Sequence, residues 1–96
     1  PGGLSGPALH PVALKLVHDV YRAIAKQTQT ALVGVGGVSR WEHAAEFILA
    51  GAAAVEVGTA LFADPRTPLR IAKGLTAWVQ RQKAAGIAEL IGTLRI

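Results

Sequence analysis

Two short apolar runs, each closed by glycine and separated by one helix-length segment, constrain this chain more than any other feature. Ala31 to Val35 runs into Gly36-Gly37, and Ala53 to Val57 runs into Gly58. Each run is too short for a stable helix and has the apolar character of a strand buried on both faces. The segment between them opens with Ser39-Arg40-Trp41-Glu42, the S-x-x-E form of a capping box. Trp41, Ala44, Ala45, Ile48 and Leu49 give it an apolar stripe, and Gly51 is placed to end it. A strand, a helix and a second strand joined this way form a parallel pair with a right-handed crossover.

The flanking segments read as helices. One starts near His10-Pro11, with Ala13, Leu16, Val17, Val20 and Ile24 on its apolar face, and fades in the polar run Gln27 to Thr30. The other follows Asp64-Pro65 and Thr67-Pro68, two cap-plus-proline starts. Its expected buried side is Leu69, Ile71, Ala72, Leu75, Trp78 and Val79, with Gly74 weakening its middle and Gly86 ending it. Ile87 to Ile91 adds a last short helical piece. The order loop, helix, strand, helix, strand, helix is an α/β pattern that two strands cannot complete, because both edges and one face would stay open. The chain is therefore expected to be the C-terminal part of a larger domain, completed by the rest of that domain or by further copies of itself.

Composition narrows the function. Of the 96 residues, 51% are hydrophobic and 17% charged, which argues against a disordered chain. The longest apolar stretch, Phe47 to Val55, is far short of the roughly 20 residues that cross a bilayer, and no signal peptide is visible at the start. There is no cysteine, which removes disulfides, thiolate metal sites and a cysteine nucleophile and fits a cytosolic protein. The net charge is +4, yet the ten basic residues are scattered and few aromatics are available for base stacking. Nucleic acid is not the expected partner. His10, His18 and His43 lack ligand spacing, so no metal site is expected and they read as surface or helix-end residues. Glu56, inside an apolar strand, is expected to take a buried partner. Asp64 reads as a cap, and Trp41 and Trp78 as packing residues.

Three segments place small residues where strands hand over to helices: Gly2-Gly3-Leu4-Ser5-Gly6, Gly36-Gly37-Val38-Ser39 and Gly58-Thr59-Ala60. In a parallel sheet these turns share the carboxyl edge, where backbone amides and helix N-termini favour an anion. Each loop alone could be only a turn. Two on consecutive strands resemble the phosphate site that many (β/α)₈ barrels build after strands seven and eight.

Gly2-Gly3-Leu4-Ser5-Gly6-Pro7-Ala8, Gly34-Val35-Gly36-Gly37-Val38 and Ala50 to Ala60, in this order and spacing, resemble dihydroorotate dehydrogenase, the FMN enzyme of pyrimidine synthesis. The resemblance covers nearly the whole chain. It implies the last quarter to third of an FMN-bearing (β/α)₈ barrel. It further implies that Gly6 contacts FMN after strand six, that Gly36 and Gly37 bind its phosphate after strand seven, and that Gly58 and Thr59 do so after strand eight. The tail after Gly86 resembles the cytosolic class 1 enzymes, particularly those that work with an electron-transfer subunit, and a homo-oligomer is expected. The family's proton-abstracting base, its flavin lysine and its substrate asparagines match no residue here. No catalytic residue is therefore expected in this chain, and the piece alone should be inactive on dihydroorotate. Two other readings remain open: a stand-alone phosphate-binding module that oligomerises, and another FMN or sugar-phosphate barrel enzyme.

Overall fold

Helix-forming segments and two short strands alternate along the chain, as the hydrophobic pattern predicts. The computed structural model describes residues 10–58 and 64–94. A helical rod begins as α1 (His10–Val20), passes through a π-helical turn (Tyr21–Ala25) and ends as α2 (Lys26–Thr28). β1 (Leu32–Val35), α3 (Trp41–Ala50) and β2 (Ala52–Glu56) follow, then α4 (Thr67–Arg81) and a 3₁₀ turn (Ile87–Leu90). β1 and β2 pair in parallel, with Leu32 opposite Ala52 and Val35 opposite Glu56. The register shifts between Leu32 and Val33, so β2 carries one extra residue there.

α3 is the centre of the packing. One side of it joins Ala13 of α1, Val38, Ile71 of α4 and Ala52 around the fully buried Phe47. The other joins Ile48 and Ala45 to Trp78, with Ile87, Leu90 and Ile91 of the 3₁₀ region packed over them. The end of α3 is closed from outside the helix. The Gly92 and Leu94 N–H groups donate to the Ile48 and Leu49 carbonyls of the last turn at 2.9 Å each, Ile48 also accepting the Gly51 N–H.

The strands are covered on one face only: Gly34 is buried against Phe47, whereas Val33 and Val35 are exposed on the other face. Nothing in the described residues lies over that face, the opening expected of two strands alone. Other expectations are corrected. Glu56 is likewise exposed and forms no ion pair among the described residues. On the first helix the inward residues are the buried Ala13 and Ala25 and the half-buried Val17 and Tyr21, while Leu16, Val20 and Ile24 are exposed at 60%, 42% and 58%. Leu16 and Val20 lie ahead of the π turn, and only the exchange of Ile24 for Ala25 as the inward residue falls within it. On α4, Ile71, Leu75, Trp78 and Val79 face the core, but Leu69 and Ala72 do not. The helix ends at Arg81 rather than at Gly86. Among the described residues no helix is long and apolar enough to cross a membrane.

Candidate functional site

The two glycine turns emerge from the same edge of the sheet. β1 and β2 are parallel and in register at Val35 and Glu56. Gly36 and Gly37 continue the first strand, and Val57 and Gly58 continue the second. Neighbouring strands run about 4.8 Å apart, so both tips leave the carboxyl edge side by side. Gly6 and Thr59, expected to share this site, lie outside the described residues.

Backbone conformation sets the Gly36-Gly37 tip apart. Both residues have positive φ, 126° and 71°. The first value is outside the reach of ordinary L-residues, so glycine is required there. Successive N–H groups in such turns form anion-binding concavities. Val38 anchors the turn by burying its side chain in the core. At Gly58 a Cβ would meet nothing within 4 Å among the described residues. That glycine leaves approach space rather than relieving a clash.

The start of α3, directly after the turn, is capped differently from the expected box. Arg40, not Ser39, is the N-cap, so Glu42 falls at the second helical position and stays exposed. His43 occupies the third position, and its Nδ1 accepts the Ser39 backbone N–H at 3.1 Å. The Ser39 hydroxyl lies 3.3 Å from the same nitrogen. Burial holds the His43 imidazole below its ordinary pKa, reinforced by the charges of His10 and Arg40 and opposed by Glu46 and Glu42.

Sequence reading passes over two residues that the structure brings to this turn. His10 is a buried residue, not a surface one: its Nδ1 is 3.2 Å from the Gly36 carbonyl oxygen. The two are 26 positions apart, and no local pattern marks the pair. Arg40 is exposed at the N-cap of α3, with one guanidinium nitrogen 3.4 Å from His43 Nε2. Its adjacency to the turn was the available signal.

Asp64, expected as a cap, instead closes the turn ahead of α4, whose N-cap is Arg66. Its Oδ1 accepts the Arg66 backbone N–H at 2.9 Å, and its carbonyl accepts the Thr67 N–H and hydroxyl. Arg70 adds an ion pair at 2.8 Å. The Arg66 hydrogen bonds, backbone and side chain, and the Arg70 charge keep its carboxyl below the usual range, against a small opposing effect of burial.

Residues 1–79 match the family model for dihydroorotate dehydrogenase. A protein of Solibacter usitatus named "Putative dihydroorotate dehydrogenase A (fumarate)" is 49% identical over 94 residues, covering 98% of this chain and 30% of that protein. The "Dihydroorotate dehydrogenase B (NAD(+)), catalytic subunit" of Pelobacter propionicus is 47% identical over 93 residues, covering 97% and 29%. Among solved structures, Eimeria tenella DHODH in complex with ferulenol superposes with a TM-score of 0.86 at 31% identity, covering 96% of this chain and 24% of that one. The chain thus spans about 30% of the length of the curated relatives it matches. The one-sided sheet agrees with a portion of a (β/α)₈ barrel, whose remaining strands cover the open face. With its sequence and its backbone both matching over nearly their full length, the chain belongs to the dihydroorotate dehydrogenase family.

Proposed function

We propose that this segment supplies the FMN phosphate site of an enzyme that oxidises dihydroorotate to orotate in pyrimidine biosynthesis. The carrying observation is the Gly36-Gly37 turn, with two consecutive positive φ values at the carboxyl edge of β1, beside Gly58 on the parallel neighbour. These residues suit a phosphate dianion. Backbone N–H groups donate without a Cβ in the way, the N-terminus of α3 adds a positive partial charge, and Arg40 stands as a cation at that N-cap, three residues after the turn. Gly58 leaves room for the ligand to approach.

FMN, when bound, supplies the hydride acceptor. This chain's part is to bind and orient: the amides of Gly36, Gly37 and Gly58 hold the phosphate, and Gly6 and Thr59 join them on the strength of the family resemblance. The proton-abstracting base and the substrate contacts belong to other parts of the barrel. The exposed stripe Leu16, Val20 and Ile24 and the open sheet face at Val33 and Val35 are surfaces for those parts. A cytoplasmic enzyme with an electron-transfer partner is the corresponding setting, supported by the "catalytic subunit" relatives.

Flavin absorbance of the purified intact barrel tests the phosphate site. Gly36→Val should lose most of its FMN, and full flavin content in that variant would overturn the assignment. The 96-residue piece mixed with FMN and dihydroorotate should form no orotate, and sustained turnover would refute its inactivity.

A further inference from the structure

We propose that His10 is a positioning residue that aims the Gly37 N–H at the FMN phosphate by holding the opposite end of the same peptide plane. The inference rests on the reading of the turn given above and adds a residue from a different element to it.

The geometry leaves the imidazole little freedom. His10 is 5% exposed at the first position of α1. Its ring lies 4.6 Å from that of His43 and meets Phe47 edge-on at 4.8 Å. Nε2 faces Glu46 Oε1 at 3.6 Å and makes no hydrogen bond among the described residues. Nδ1 faces the Gly36 carbonyl at 3.2 Å. A carbonyl only accepts, so Nδ1 carries the hydrogen and donates it.

That hydrogen bond acts through the peptide plane. The Gly36 carbonyl and the Gly37 N–H belong to one planar trans unit, in which the two groups point in opposite directions. Drawing the carbonyl toward His10 therefore turns the N–H away from α1. Without the bond, a peptide between two glycines rotates at little steric cost, because neither residue has a Cβ to restrict it. A preorganised donor avoids that ordering cost when an anion binds. Glycine at 36 and 37 permits the conformation, and His10 selects it.

The test uses the intact barrel and two variants. His10→Phe keeps an aromatic ring but removes the Nδ1 donor, whereas His10→Asn places an amide N–H at the same distance from the backbone. FMN affinity should fall about tenfold in His10→Phe and stay within about threefold of wild type in His10→Asn. The ³¹P resonance of bound FMN should move in the first and not in the second, a response that a general loss of packing would not distribute this way. Wild-type affinity and ³¹P shift in His10→Phe would overturn the proposal. If His10→Phe fails to fold, the ¹⁵N resonances of His10 in the unmodified protein decide: a protonated Nδ1 is expected, and an unprotonated one is fatal. Gly36→Val separates the two readings. Unchanged FMN binding there removes the phosphate site itself, whereas loss there with no effect of His10→Phe removes only the role of His10.

Discussion

The Trp41 ring lies directly on the Cα of Gly74, and a Cβ at that position would overlap the ring at Cγ and Cδ1. The contact joins α3 to α4 at close range. It also explains a glycine that weakens the helix it sits in. The Arg81 guanidinium lies over the same indole at 5.3 Å, so the ring is enclosed from two positions of α4.

Gly74→Ala should therefore destabilise the protein although alanine is the better helix former. Propensity favours alanine by about 1 kcal/mol, and overpacking costs about 1–3 kcal/mol, with Trp41 unable to retreat from a neighbour on the backbone. Urea unfolding of the intact barrel is expected to show a net loss, partly relieved when Trp41→Leu is added. A stabilised Gly74→Ala would mean that the indole moves freely.

The two turn glycines should fail differently from Gly58. Gly36→Ala must hold a φ of 126°, a strain of about 1–3 kcal/mol, and should lose both stability and flavin. Gly58→Ala meets open space among the described residues, so its stability should stay within about 0.5 kcal/mol of wild type while FMN affinity drops. Thermal melts of the apo-protein alongside flavin titrations check the contrast.

His43 links the site to pH. Its folded pKa lies below the unfolded value, so as pH falls the unfolded chain takes up the proton first and stability falls with it. The contribution is intact above the ordinary value of about 6.5 and is lost progressively below it, down to the depressed folded value. Protonation of Nδ1 also ends its acceptance of the Ser39 N–H. His43→Ala should cost about 1 kcal/mol by analogy with other lost caps and flatten the stability profile between pH 7 and 5. A profile with unchanged slope would contradict this account.

Asp64 has the opposite charge and a different window. Its folded pKa is depressed, so its contribution is present above the ordinary carboxylate value and disappears only as pH falls through the lower folded one. Asp64→Asn retains the oxygen that accepts the Arg66 N–H and loses only the charge, whereas Asp64→Ala loses both. Chemical unfolding at neutral pH should rank wild type, Asn and Ala in descending stability, and salt should narrow the first gap.

Periodicity and punctuation made much of this protein legible from its residues. The strands, the helix between them and the turn glycines are local features, written in runs of a few residues, and the observed elements lie where those runs place them. What lay beyond pattern reading were choices made by particular contacts, some within one element and some between distant segments. Leu16, Val20 and Ile24 stay exposed, and Ala25, within the π turn, is buried in place of Ile24. The helix start lies at Arg40 rather than Ser39, and His43, not Glu42, takes the Ser39 N–H. His10, in sequence an unremarkable helix-end residue, turns inward to Gly36. A hydrogen bond across 26 residues leaves no trace in either neighbourhood, since each partner's local sequence is compatible with many others. Only the packing of α1 against α3 selects this one.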